Sequence, residues 1–202
     1  SLSEVASYRL LLQPEPGVEQ QTGAFRLPNR APGPVRFAVV GDPQGGRETW
    51  SEVAAAIAEK QPDFMVFVGD FVGNSLREAH WREAFYEAAD TLLATVPVYA
   101  VLGNHDNTAP LIHHMIYRPS RTVSSPHWAQ TVDGMTLIGI DGEKSFKPGT
   151  ANHTWLENTF SRADGDFVFA FTHYPAYASA AHGGIGEDGL PREWRMRQSR
   201  QI

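Results

Sequence analysis

The sequence of 202 residues predicts an α/β domain built on a parallel sheet. Between residues 35 and 102, short apolar runs alternate with longer segments in which apolar residues recur at helical spacing. The runs contain few polar residues, as expected for strands covered on both faces of a sheet. Each run also ends at a turn that contains glycine. Alternating strands and helices imply parallel strands joined by right-handed crossovers.

Each element of this half follows from a local pattern. The apolar residues expected on one face of the first helix are Trp50, Val53, Ala54 and Ile57, and those expected on the inner face of the second are Trp81, Phe85, Ala88 and Leu92. The predicted order is strand 35–40, helix 47–60, strand 64–68, helix 77–95 and strand 96–102.

The second half of the chain has a different pattern. Residues 128–132 and 135–140 flank Asp133-Gly134, a strong signal for a two-residue hairpin. A short helix at 154–162 and a further strand at 166–172 follow.

Residues 1–34 form a separate segment. Short strands are predicted at 8–12 and 23–27, and residues 28–34 are rich in proline, as linkers often are. Two short strands do not fold alone, so they belong to the end of a β-domain or pack on the main domain. The predicted organisation is therefore an N-terminal β segment with its linker at 1–34 and the main domain at 35–202.

Composition limits the classes of function. Hydrophobic residues at 42% and charged residues at 20% indicate a globular protein. The net charge of −6 argues against nucleic acid as a partner, and no apolar run reaches membrane-spanning length. Cysteine is absent, which excludes disulfides and thiolate metal sites. The chain opens at Ser1, so we expect a processed form or a fragment, and we favour a secreted or periplasmic location over a cytoplasmic one.

Polar residues follow four of the predicted strands. Asp42, Asp70 and Asn104 follow the three parallel strands, and His173 follows the last strand. Open α/β sheets place ligands at the carboxyl ends of their strands. Two neighbouring carboxylates repel each other unless a cation lies between them. Carboxylate, amide oxygen and imidazole together are typical ligands of hydrolytic metals such as manganese, zinc and iron.

The order of these motifs resembles that of the calcineurin-like metallophosphoesterases, over residues 35–178. The motifs that carry the resemblance are Gly41-Asp42-Pro43-Gln44, Gly69-Asp70-Phe71-Val72-Gly73-Asn74, Gly103-Asn104-His105-Asp106 and Thr172-His173-Tyr174-Pro175. The resemblance implies a four-layered αββα sandwich with a two-metal centre at the strand ends.

The resemblance also implies a role for each metal ligand. Asp42 would bind the first metal, Asp70 would bridge both metals, and Asn104 and His173 would bind the second. The metals would be two divalent or trivalent ions of manganese, zinc or iron.

The same resemblance implies the chemistry. His105 would contact the phosphate and protonate the leaving group, and Asp106 would orient His105. The expected reaction is hydrolysis of small phosphate mono- or diesters by a water that the metals activate.

The sequence departs from the family pattern in its metal ligands. Gln44 stands where the family commonly has histidine, and both an outer-sphere ligand and a loop residue remain open for it. Gly73 stands where purple acid phosphatases have a tyrosine ligand. The final Gly-His-x-His motif is absent from the sequence, and we expect a truncated domain for that reason. The N-terminal segment resembles the end of the fibronectin-like domain of purple acid phosphatases.

Two other functions stay open at this stage. A phosphoesterase fold that has lost catalysis would serve as a binding module, and an adhesion or scaffold protein would use residues 1–34 in a larger β-array. Single aspartates after strands often only shape turns, so the metal interpretation depends on the ordered set. His113 and His114 are interpreted as surface residues rather than as the substrate entrance, and His182 as no replacement for a missing ligand.

Overall fold

A computed structural model describes residues 5–10, 21–26, 34–106, 112–116, 127–178, 184–190 and 202. The strands are β1 Val5–Leu10, β2 Gln21–Arg26, β3 Phe37–Val40, β4 Phe64–Phe67, β5 Val98–Ala100, β6 Trp128–Val132, β7 Met135–Ile140 and β8 Phe167–Thr172. The α-helices are α1 Arg47–Glu59, α2 Asp90–Thr95, α3 Ile112–Met115 and α4 Ala151–Arg162.

The first sheet has the strand order β3–β4–β5 and is parallel, which confirms the topology predicted from the alternating elements. Every residue of β4 is buried, because helices cover one face of the sheet and the second sheet covers the other. On the helical face, the rings of Trp50, Phe67 and Phe85 have centroids no more than 5.7 Å apart. Burying such a side chain stabilises the fold by about 1.5–3 kcal/mol, so this cluster holds α1 against the sheet.

The prediction of one continuous helix at 77–95 is wrong. The segment forms a π-helical turn at His80–Tyr86 and a 3₁₀ turn at Glu87–Ala89, and only α2 is a regular α-helix. Trp81 and Phe85 lie in the widened turn, and both are almost fully buried. The backbone departs from the regular α-helical period where these two large rings pack, and the apolar spacing of the sequence does not indicate this departure.

The second sheet has the order β6–β7–β8 and stacks on the first. Its hairpin turns through Asp133-Gly134 with φ of 45° and 77°, the positive values that the predicted two-residue turn requires. The ring of Phe37 in β3 lies 5.3 Å from that of Phe169 in β8, which joins the two sheets. On the outer face, Leu156 of α4 packs against Ile138 of β7. The layers are therefore helix, sheet, sheet and helix, which confirms the αββα sandwich.

Two features lie at the margins of this sandwich. The strands β1 and β2 pair antiparallel, and the backbone of β2 lies against α2. Residues 11–20 and most of the predicted linker lie outside the described residues, and the division of the chain at residue 34 stays a prediction. Among the described strands of the two larger sheets, β3, β5, β6 and β8 form the edges. Phe167 on β8 is 63% exposed and Val168 is 41% exposed.

None of the helices in the described ranges combines the length and the apolar character that crossing a bilayer requires.

Candidate metal centre

The two aspartates that follow β3 and β4 have a left-handed backbone. Asp42 has φ of 60° and Asp70 has φ of 56°. Aspartate adopts this region more readily than most residues. The N–H of Asp42 donates to the carbonyl oxygen of Gly69 at 3.1 Å, which ties the two turns together. Both carboxylates are therefore held at the same edge of the first sheet.

The turns after β4 and β5 approach each other too closely for side chains. A Cβ atom on Gly103 would lie 2.1 Å from Oδ1 of Asp70. A Cβ atom on Gly69, whose φ is 94°, would lie 2.4 Å from the backbone nitrogen of Gly103. Glycine at both positions lets the Asp70 carboxylate lie directly against the loop that carries Asn104 and His105.

His173 brings the second sheet into the site. Its Nδ1 lies 2.7 Å from the carbonyl oxygen of Val68, and its Nε2 lies 3.6 Å from Oδ2 of Asp70. A carbonyl oxygen only accepts, so Nδ1 carries the proton and donates it. This tautomer leaves the Nε2 lone pair facing the carboxylate, the arrangement typical of a metal-ligating histidine.

Asp42, Asp70 and His173 each present a ligand atom, and these atoms all lie within 4.8 Å of one another. The sequence predicted all three as ligands, and the structure brings them together. Two carboxylates and one imidazole at this separation fit a divalent cation, because the cation removes the repulsion between the carboxylates.

The pKa values show how strongly the groups interact. Burial raises the pKa of Asp42, and the nearby charge of Asp70 adds to the rise. Burial would also raise the pKa of Asp70, but the interaction with His173, when that ring is protonated, and the hydrogen bond from the His105 N–H outweigh it and lower that pKa. Burial would lower the pKa of His173, but its hydrogen bond and attraction to Asp70 outweigh it and raise the pKa. Asp70 is thus the group that attracts positive charge.

Gln44 reaches into this centre. Its Nε2 donates to Oδ2 of Asp70 at 2.6 Å and lies 3.5 Å from Oδ1 of Asp42. The side-chain amide therefore lies beside both carboxylates, and its role as a ligand or as a loop residue stays a prediction. Its oxygen and nitrogen exchange places by rotation of the amide, so either can face the centre.

His105 lies at the mouth of the site, with a side chain that is 39% exposed. Its Nδ1 lies 3.1 Å from the carbonyl oxygen of Gly73, and its Nε2 lies 3.9 Å from Oδ2 of Asp70. The ring is thus oriented by Gly73, and its Nε2 is directed toward the centre.

Asp106 has a different role from the one expected. Its carboxylate accepts the backbone N–H groups of Asp70 at 2.5 Å, Phe71 at 3.1 Å and Gly103 at 3.0 Å. Among the described residues its carboxylate makes no hydrogen bond to the His105 ring, so the expectation that Asp106 orients that ring is corrected. Burial raises the pKa of Asp106 to about 6 despite these donors. Asp106 instead holds together the turns that carry Asp70 and Asn104.

Asn104 lies between two residues that contact Asp70. The N–H of His105 donates to Oδ1 of Asp70 at 2.9 Å, and Gly103 adjoins the same oxygen. The Asn104 side chain contacts the hydroxyl of Tyr174 at 3.0 Å. Sequence reasoning missed Tyr174, although it stands next to His173 in one of the quoted motifs.

Three of the remaining candidate histidines cannot be placed relative to the centre. The side chains of His113 and His114, and the whole of His182, lie outside the described residues. His127 is 3% exposed and lies between the rings of Phe146 and Trp155 in the core.

Together the layers and the strand-end residues define a two-sheet α/β sandwich with a candidate metal site at the ends of its strands. The chain belongs to the calcineurin-like phosphoesterase family, whose model matches residues 35–198.

Two curated relatives are purple or acid phosphatases by name. The chain is 28% identical over 185 residues to probable purple acid phosphatase 20 of Arabidopsis thaliana, covering 83% of this chain and 42% of the relative. It is 25% identical over 206 residues to tartrate-resistant acid phosphatase type 5 of Homo sapiens, covering 79% of this chain and 63% of the relative. The chain thus spans less than two thirds of either relative.

A solved structure shares the fold. Purple acid phosphatase PPD1 from yellow lupin (Lupinus luteus) seeds superposes with a TM-score of 0.67 at 14% identity, covering 80% of this chain and 34% of that chain. At this identity the likeness concerns the fold alone.

Proposed function

We propose that the protein is a metal-dependent phosphoesterase that hydrolyses phosphate mono- or diesters with two metal ions as cofactors. The convergence of Asp42, Asp70 and His173 within 4.8 Å carries this proposal. Membership of the calcineurin-like phosphoesterase family and the names of the two relatives support the same class.

The residues divide into ligands and a proton donor. Asp42, Asp70, Asn104 and His173 would hold the metals, with Gln44 as a further amide donor. When bound, two such ions activate a water molecule and offset the negative charge of a phosphate ester. The net charge of −6 makes such compensation necessary for an anionic substrate.

His105 is the residue best placed to protonate the leaving group. Its ring is anchored through Nδ1 at Gly73, is partly exposed and directs Nε2 toward the centre. A leaving alkoxide needs a positioned proton donor, and histidine is the usual one. Asp106 supports this step only indirectly, through the backbone of the loop.

The direct test is turnover of p-nitrophenyl phosphate and its bis-ester by the full-length protein with added manganese, zinc or iron. We expect metal-dependent turnover of at least one ester and loss of it in Asp70→Asn. Asp164→Asn is the matched control, because Asp164 is an exposed carboxylate at the opposite end of β8. A folded, metal-supplied protein that hydrolyses neither ester would refute the proposal.

The role of His105 has its own test. His105→Ala is expected to keep its metal content and to slow hydrolysis most for esters with poor leaving groups, which need the proton. Equal losses for nitrophenyl and alkyl leaving groups would count against a proton donor.

The departure at Gln44 keeps a catalytically degenerate binding module as the alternative. Metal analysis separates the two functions, since a binding module of this kind is expected to hold fewer than two metal ions per chain. The intact arrangement of Asp42, Asp70 and His173 supports the enzyme.

A further inference from the structure

Tyr174 makes a contact in the site that no ligand role explains. The residue is 9% exposed, and its hydroxyl contacts Glu143, in the loop after β7, and the side chain of Asn104. A Cβ atom on Gly142 would lie 2.7 Å from Cδ2 of Tyr174, so a residue without a side chain makes room for the ring. The hydroxyl is thus held between two polar side chains.

The number of available protons decides the direction of these hydrogen bonds. A tyrosine hydroxyl has one proton, and an ionised carboxylate only accepts. The charged oxygen of Glu143 is a stronger acceptor than a neutral amide oxygen, so the Tyr174 hydroxyl donates to Glu143. The Tyr174 oxygen then accepts from the other side, and Asn104 must supply the donor.

This requirement fixes the orientation of the Asn104 amide. The terminal atom 3.0 Å from the Tyr174 oxygen has the position of Oδ1 in the structure. Oxygen and nitrogen of a side-chain amide are assigned from their hydrogen bonds, and here only the NH₂ group satisfies the neighbour. The amide therefore turns its nitrogen to Tyr174 and leaves its oxygen on the other side.

We propose that Tyr174 and Glu143 are positioning residues that orient Asn104 so that its amide oxygen, and not its NH₂ group, binds a metal. The inference rests on the proposed metal centre. An amide NH₂ has no lone pair available for a metal, so the wrong orientation would remove this ligand. Partners of this kind are known to affect metal affinity strongly.

Glu143 determines the outcome because it takes the hydroxyl proton. Without it, Tyr174 would donate its proton to the oxygen of Asn104, and a metal would compete with that hydrogen bond. Removal of Glu143 is therefore expected to weaken metal binding even though Tyr174 and every ligand stay in place.

The test is calorimetric titration of the metal-free, full-length protein with Mn²⁺. Tyr174→Phe keeps the ring and removes the hydroxyl, and we expect one site to lose about 10- to 100-fold in affinity, as for other residues behind metal ligands. Glu143→Ala should weaken the same site. Tyr177→Phe is the matched control, because Tyr177 is 77% exposed in the same loop. The Mn²⁺ affinity of this variant should equal that of the wild type.

Electron paramagnetic resonance of bound Mn²⁺ gives a second readout that packing alone would not change. Loss of one site should replace the signal of two coupled ions with that of isolated Mn²⁺. Unchanged affinities and spectra in a folded Tyr174→Phe protein would overturn this inference while leaving the metal centre intact. A wild-type protein that binds no metal would instead overturn the proposed function, and this inference with it.

Discussion

Two histidines with largely buried rings lie at the same end of the second sheet and differ in what their nitrogens contact. His173 follows β8, and its side chain is 7% exposed. His127 precedes β6, and the residue as a whole is 3% exposed. In His173, Nδ1 donates to a carbonyl oxygen and Nε2 faces the carboxylate of Asp70. In His127, Nδ1 accepts the N–H of Asp141 at 3.1 Å and Nε2 lies 3.3 Å from Oδ1 of Asn152.

The difference shows what makes a buried imidazole available for chemistry. Both nitrogens of His127 are used by neutral partners, so its ring is neutral, and burial lowers its pKa despite the charge of Asp141. His173 keeps one nitrogen for an ionic partner, and its pKa is raised instead. Sequence position does not distinguish the two residues, but their hydrogen-bond partners do.

The largest expected effect is that of His173→Ala on metal binding. Removing this proposed ligand should lower the affinity of one site by more than about 100-fold, the upper end of what residues behind metal ligands cause. Calorimetric titration with Mn²⁺ measures this change. Wild-type metal affinity in the variant would show that His173, like His127, only supports the fold, and the proposed difference between the two histidines would be wrong.

His127→Ala should act on stability instead of metal binding. It removes a buried ring and leaves the N–H of Asp141 without its acceptor, so the free energy of unfolding should fall by about 2–4 kcal/mol. Urea unfolding of the metal-free protein measures this. His153→Ala is the control: among the described residues, its partly exposed ring pairs only with exposed Glu157, so its cost should stay below about 1 kcal/mol. If His127→Ala lowered the metal affinity as much as His173→Ala does, His127 would not be a purely structural residue.

Gln44→His would sharpen the comparison by giving the centre another imidazole. Gln44 has φ of 43°, a region that histidine adopts more readily than most residues, so the turn should survive. Beside Asp42 and Asp70, the new ring should act as His173 does and raise metal affinity, because imidazole suits zinc and iron better than a neutral amide does. Titration with Zn²⁺ measures the gain, and a loss of affinity would show that the amide is the better donor here.

The smallest expected effect is on the pH dependence of stability. The pKa of His127 is lowered in the fold from 6.5, so the unfolded chain takes up the proton first as the pH falls. Its stabilising contribution is present above pH 6.5 and is lost as the pH falls below that value. The other charged groups beside the ring are Asp141 and Lys144.

His127→Asn isolates this effect. Asp141, whose pKa is raised by burial, acts with the opposite sign, but it is present in both proteins and largely cancels in the difference. Urea unfolding between pH 8 and pH 5 should show a steeper loss of stability in the wild type than in the variant. Parallel curves would show that His127 is not held neutral.

The polar residues at the strand ends could be predicted from the sequence, because parallel strands bring the residues that follow them to the same side of the sheet. Asp42, Asp70 and Asn104 each follow an apolar run next to glycine, and parallel strands bring such positions to one edge. The hairpin at Asp133-Gly134 was predictable because its turn type depends on neighbouring residues alone. Predictions of this kind need only local patterns and one rule of topology.

What could not be predicted depends on contacts between distant segments. Asp106 bonds to the backbone of a turn 36 residues away, at Asp70, so its role is invisible in the local motif. The link from Tyr174 to Asn104 spans 70 residues, and it exists only once the two sheets are stacked. The irregular helix before α2 likewise follows from aromatic packing, which overrides the helical period.

The exposed edge at β8 has a consequence for handling the protein. Phe167 and Val168 place apolar surface beside a row of backbone groups that no described strand pairs with. Edges of this type invite strands from other molecules, and natural proteins usually blunt them with charge, proline or a covering segment. Any preparation that leaves this edge uncovered is therefore expected to aggregate as its concentration rises, and a lysine at position 168 is the simplest way to keep it dispersed.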